Sequence, residues 1–202
     1  MPKEVDAEQK RTEFAEAAWR LISEAGLPAA TLRRVAAETH CTTGALTHYF
    51  PSRESLLVEA LRRAHYAAGV RLTRAAHKVS GHLKRLETIV LEALPLDSER
   101  TKEWKTRLAV WAAASDNEVL RHENTRRYGE WNELLERFMA PIVSEPEALH
   151  REAVLLMGIT DGLALRLVLH APQGAQMRSA VAEVISEVRF HLRALQARYE
   201  RV

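Results

Sequence analysis

Between residues 27 and 53, three arginines (Arg33, Arg34 and Arg53) are opposed by Glu38 alone. Thr42, Thr43, Thr47 and His48 add short hydrogen-bonding side chains to the same stretch. Such groups suit phosphate oxygens and base edges better than bond-breaking chemistry. Over residues 1–66 as a whole, basic and acidic side chains balance, so bulk charge adds nothing to that reading. No catalytic constellation competes with it. The chain has no glycine-rich phosphate loop, nucleophile elbow or zinc-protease histidine pair. Its histidines show no close helical ligand pairing, and His77 and His82 are separated by a helix break. No catalytic residue, metal or cofactor is therefore expected. Cys41 is the one cysteine, which excludes an intrachain disulfide, suits a reducing cytoplasm and reads as packing.

Two short helices must position these groups. Thr31 is placed to cap the first, because its hydroxyl can accept an orphan N–H of the opening turn. Leu32, Val35 and Ala36 make that helix's apolar face. Thr39-His-Cys-Thr42 interrupts the pattern, and Thr42 is placed to cap the second helix. Ala45, Leu46 and Tyr49 supply the inward face there, while Thr43, Thr47 and His48 point outward. The pattern fits a helix-turn-helix, whose second helix enters the DNA major groove. It also fits a plain helical hairpin with a threonine-rich corner.

Arg33-Arg-Val-Ala followed by Thr42-Thr-Gly-Ala-Leu-Thr-His-Tyr-Phe-Pro-Ser-Arg-Glu-Ser-Leu-Leu57 closely resembles the DNA-binding domain of the tetracycline-repressor (TetR) family. Thr42, Gly44, Leu46, Tyr49, Phe50, Ser52, Arg53 and Leu56 match the family run. The wording from Thr42 to Phe50 looks most like the choline-responsive BetI-type branch. There are three departures. His40 stands where the family usually has glycine, Cys41 where it has valine, and Thr47 where it often has tyrosine. Histidine tolerates a left-handed turn better than most residues, though less well than glycine. The resemblance implies a DNA surface of Thr31, Arg33, Thr42, Thr43, Gly44, Ala45, Thr47, His48, Tyr49 and Arg53. In that reading Arg33 and the exposed residues of the second helix reach bases, while Thr31, Thr42, Tyr49 and Arg53 hold phosphates. Gly44 lets the backbone approach DNA closely, or lets its helix pack tightly on its neighbours.

The rest of the chain reads as helices, which makes an all-α protein of about nine. Helix 1 runs from about Ala7 to Ala25 and is ended by Gly26 and Pro28. Ser52 caps helix 4, which reaches about Lys78; Ser80-Gly81 breaks before helix 5. Helix 6 spans about Ser98 to Ala114, helix 7 Glu118 to Met139, helix 8 Glu147 to His170 and helix 9 Ala175 to Tyr199. Residues 1–57 form a three-helix DNA-binding head, with helix 4 as the connector to the body, and residues 58–202 form a helical ligand-binding and dimerisation domain. Apolar residues make up 47% of the 202, enough for a core in each part. The uncharged stretches after the N-terminal domain fall far short of the roughly 20 residues of a membrane span, and no signal peptide is visible. A cytoplasmic protein is expected.

Helix 8 is apolar nearly all round from Val154 to Leu169. Such a helix must be covered on every side, by its own subunit as a central core helix or by a second copy. The resemblance implies a homodimer joined through the last two helices, with Leu163, Leu167, Val184, Val188, Leu192 and Leu195 at the seam. Gly158 and Gly162, four apart, permit close approach. Trp104, Trp111, Tyr128 and Trp131 lie on two consecutive helices, with Met157 and Asp161 on the next. They read either as core anchors or as a pocket for a small organic effector, uncharged or cationic. Asp161, inside an apolar helix, must find a partner: Arg166, a helix terminus, water or a ligand. The expected function is thus a dimeric one-component repressor that binds a double-stranded inverted-repeat operator and is released by an effector. The alternative is a helical binding module whose helix-turn-helix no longer reads DNA.

Overall fold

The structure, a computed structural model, describes residues 2–170 and 174–200. These residues form helices α1 (Pro2–Ala25), α2 (Leu32–Glu38), α3 (Thr43–Tyr49), α4 (Arg53–His77), α5 (His82–Ala93), α6 (Ser98–Ala114), α7 (Glu118–Met139), α8 (Pro146–His170) and α9 (Ala175–Tyr199). A single 3-10 turn, Leu27–Ala29, follows α1. The expected spans hold to within a residue or two, except that α1 begins at Pro2 rather than near Ala7. No strand occurs among the described residues.

The chain divides into two compact units. The first comprises Met1–Ala67 and Lys105–Thr125, and the second Ala68–Trp104 and Arg126–Val202. Three helices, α4, α6 and α7, contribute to both. The sequence reading gave that role to α4 alone.

The core of the first unit has two parts. Phe14, Ala18, Val35, Leu46, Phe50 and Leu56 are buried together under α2 and α3. Ile22, Leu27, Leu57 and Leu61 are buried with Val110 and Ala114 of α6 and Leu120 of α7. The corner between α6 and α7 is therefore part of the head's own hydrophobic core. Arg62 of α4 reaches Glu123 of α7 at 2.9 Å, and that carboxylate side chain is only 2% exposed.

In the second unit, Trp104, Leu86, Ile89, Leu94, Leu135 and Met139 are buried, as are Val184, Val188, Leu192 and Leu195 of α9. Arg71 of α4 makes a bidentate pair with Glu103 of α6 at 2.6 and 2.9 Å. Those Glu103 hydrogen bonds hold the guanidinium above its ordinary pKa. Arg189 of α9 bonds Glu87 of α5 at 2.8 Å. Partial burial pushes the Glu87 carboxyl up, but the bonds from Arg189 and Lys84 outweigh it and leave its pKa lowered.

Candidate nucleic-acid interface and ligand site

Each of the two short helices is capped as the sequence predicts. Thr31 Oγ1 accepts the Arg34 N–H at 3.2 Å, and Thr42 Oγ1 accepts the Ala45 N–H at 3.1 Å. The turn between them is held by Thr39, whose hydroxyl donates to the Val35 carbonyl at 2.8 Å. His40 adopts φ 52°, the only positive φ among the described non-glycine residues. The left-handed residue thus falls where the family usually has glycine. Cys41 packs, half-buried, against the head core, and its sulfur lies 3.3 Å from the Thr39 hydroxyl.

The outward face of α3 is as expected in most respects. Thr42, Thr43, Gly44, Thr47 and His48 are exposed, and Leu46 is fully buried. Ala45, read as inward, is exposed instead. With only seven residues, α3 anchors itself through Leu46 and the aromatic end at Tyr49 and Phe50. Tyr49 is half-buried and meets the Phe14 ring edge-on at 5.4 Å. Arg11 of α1 donates to the Tyr49 carbonyl at 2.8 Å and lies over the Phe50 ring. Arg33 and Arg34 are exposed on α2, and Thr31 is half-buried.

Gly44 has no packing reason to be glycine. A Cβ built there would find only the Thr42 hydroxyl, at 3.9 Å. Of the two readings of this residue, tight helix packing finds no support, and the open side remains.

Arg53 has a structural task that sequence reasoning missed. Its Nε donates to the Ala30 carbonyl at 2.8 Å and its Nη2 to the Leu27 carbonyl at 2.6 Å. The guanidinium thereby ties the start of α4 to the 3-10 turn that precedes α2. These partners lie 23 and 26 residues away, so no local pattern signals them. Replacing Arg53 by alanine is expected to lower stability by about 2 kcal/mol, the usual range for bonds to a charged group, as a fall in thermal midpoint. It should weaken binding to all DNA sequences alike, because the whole head is loosened.

The aromatic residues of the body sit in different surroundings. Trp104 is 1% exposed, and its indole N–H donates to the Ala93 carbonyl at 2.7 Å, which makes it a core anchor of the second unit. Trp111 belongs to the first unit. Tyr128, Trp131, Met157 and Asp161 are half-buried in the second. The Tyr128 hydroxyl donates to Asp161 Oδ2 at 2.9 Å. One partner of Asp161 is therefore a tyrosine of α7, and Arg166 pairs with Glu183 of α9 at 2.8 Å.

The expected seam residues lie largely inside the chain. Leu167 is 2% exposed, and Val184, Val188, Leu192 and Leu195 are each 1% exposed; Leu163 is half-buried. All but Leu163 are thus buried by their own chain. Among the described residues, the large exposed apolar side chains of α8 and α9 are Val154, Leu155, Leu169 and Phe190, the last 72% exposed. Leu155, Gly158, Gly162 and Leu169 recur at helical spacing on one face of α8. Both glycines are exposed, with nothing within 4 Å of a Cβ built on them.

Among the described residues, no helix is long and apolar enough to cross a membrane, and no group of His, Cys, Asp and Glu is arranged to hold a metal.

Comparison with known proteins agrees with this geometry. The profile described as "Bacterial regulatory proteins, tetR family" matches residues 15–60. The profile described as "BetI-type transcriptional repressor, C-terminal" matches residues 82–190. The chain is 34% identical over 173 residues to the HTH-type transcriptional regulator BetI of Burkholderia cenocepacia, covering 82% of this chain and 86% of that protein. It is 29% identical over 177 residues to the regulator PksA of Bacillus subtilis, covering 84% and 83%. Among solved structures, a regulator from Saccharomonospora viridis in complex with choline superposes with a TM-score of 0.71 at 23% identity, covering 88% of this chain and 94% of that one. FadR of Bacillus subtilis, in complex with stearoyl-CoA, gives 0.68 at 14% identity, covering 88% and 96%. These two likenesses speak for the fold. With a TetR head motif on α2 and α3 and a BetI-type body, the chain belongs to the TetR family of transcriptional regulators.

Proposed function

We propose that the exposed face of α3, with Arg33 of α2 beside it, reads an inverted-repeat operator, and that the second unit releases the protein from it on binding an organic cation. As a TetR-family protein the chain is a ligand-responsive regulator, not an enzyme. Its place is the cytoplasm, beside the DNA it reads. The observation that carries the DNA reading is the division of α3. Leu46 is locked into the head core, while Thr43, Gly44, Thr47 and His48 are exposed on the other side. Arg33→Ala is expected to reduce discrimination between operator and scrambled DNA by about 1–3 kcal/mol. Gel shifts on the chain's own flanking intergenic DNA, at several salt concentrations, measure this. Equal salt-dependent binding of parent and variant to both sequences would overturn the assignment.

The cation reading rests on Tyr128, Trp131 and Asp161 lying half-buried in one unit. An aromatic face and a carboxylate both attract an organic cation. The Saccharomonospora viridis regulator holds choline, a quaternary ammonium ion. Choline is therefore the first compound to titrate against tryptophan fluorescence, with Trp131→Ala as the control.

The dimer seam is the exposed stripe Leu155, Gly158, Gly162 and Leu169 of α8, with Phe190 of α9. The two glycines stand in a long helix, where each is about 1 kcal/mol less favourable than alanine, and no described residue lies within 4 Å of a Cβ built on either. Close approach of a partner helix accounts for both.

A further inference from the structure

Glu123 is an expensive residue to place where it stands. Its side chain is 2% exposed, and it receives the Arg62 Nε–H at 2.9 Å. Arg62 itself is about half exposed. Removing a carboxylate from water costs several kcal/mol, and a well-packed apolar pair of the same volume is commonly as stable or more so. Stability is thus a poor explanation for the pair. What an ion pair has and a leucine lacks is direction: the bond is made at one geometry and lost at others.

The position of the pair shows what such a directional contact can do. Arg62 follows Leu57 and Leu61 on α4, both buried in the core of the head unit. Glu123 follows Leu120, which is buried in that same core. The helix that carries Glu123 continues, without a break, to Tyr128 and Trp131. There Tyr128 is hydrogen-bonded to Asp161 of α8. One continuous helix therefore carries a buried ion pair in the first unit and a tyrosine–carboxylate bond in the second.

We propose that Arg62–Glu123 is a positioning contact through which α7 reports the state of Tyr128 and Asp161 to the DNA-binding head. It rests on the reading of the second unit as the effector-responsive body. By reciprocity of linked equilibria, DNA bound at the head must then also alter α7 near Tyr128. That consequence is measurable without knowing the effector.

The experiment uses the full chain and duplex DNA that the parent protein selects from a random pool. Hydrogen exchange is followed in peptides covering residues 126–135, with and without saturating DNA. In the parent, DNA is expected to change exchange there. In Glu123→Gln the protein still binds the same DNA to within about threefold, but the change is reduced about fivefold or more, a typical size for coupling. If Glu123→Gln fails to fold, the double variant Arg62→Met with Glu123→Leu removes both charges and keeps the volume; the same loss is expected. An undiminished exchange change in the variants overturns the proposal, as does the absence of any change in the parent. A parent protein that selects no sequence at all overturns the DNA reading itself and this inference with it.

Discussion

Replacing Gly44 by glutamate is expected to abolish operator binding while leaving the protein as stable as the parent. Among the described residues, a Cβ at this position meets only the Thr42 hydroxyl, at ordinary contact distance. Leaving glycine inside a helix is favourable by up to about 1 kcal/mol, and an acid near the start of α3 complements the helix dipole. The folded state therefore loses nothing. On DNA, the same carboxylate is forced against the phosphate backbone at the one point where α3 offers no side chain. A loss of at least 100-fold, about 3 kcal/mol, is expected in operator affinity by fluorescence anisotropy, with an unchanged thermal midpoint. Gly44→Ala separates charge from bulk, because a methyl group suffices to disturb a close backbone approach. If Gly44→Glu bound operator like the parent, α3 would not be the reading element.

The second large effect is at the subunit seam, where two residues of one helix should respond in opposite ways. Val188 is 1% exposed and Phe190 is 72% exposed. Val188→Asp buries an unpaired charge and is expected to unfold the chain. Phe190→Asp places its charge on a surface that a single chain leaves to water, so a folded monomer is expected. Burying one phenylalanine is favourable by roughly 1.5–3 kcal/mol, and two-fold symmetry counts it twice. Light scattering should show the parent as a dimer and Phe190→Asp as a monomer at micromolar concentration. Operator affinity should fall with it, because two linked heads bind far more tightly than one. A Phe190→Asp protein that stayed dimeric would move the seam elsewhere.

Much of the fold was legible because its signals are local. Caps at Thr31 and Thr42, the break at Gly26–Pro28 and the reciprocal Ser52–Ser55 bonds each involve residues within four of one another. So does the left-handed turn at His40, which the departure from glycine had marked. What escaped was non-local or lacked direction. The Arg53 partners and the Tyr128–Asp161 bond join residues more than 20 apart. On α8, apolar residues surround the helix, so periodicity cannot say which side faces its own subunit. That Leu167 is buried inside its own chain while Leu155 and Leu169 are exposed was therefore not legible. Trp104 and Trp111 share a helix that contributes to both units, which helical spacing alone does not reveal.

The head's core also bears on how freely such proteins can be recombined. Sequence matching suggests a portable module ending near residue 60, to be grafted onto any body that senses a wanted compound. Yet Ile22, Leu57 and Leu61 are covered by Val110, Ala114 and Leu120, which come from far along the chain. A graft cut after α4 begins would leave those three side chains against a foreign corner of a different shape. The transferable part is discontinuous: residues 1–67 together with 105–125. A chimera that keeps both segments retains its own foundation, and one that keeps only the first must have it rebuilt.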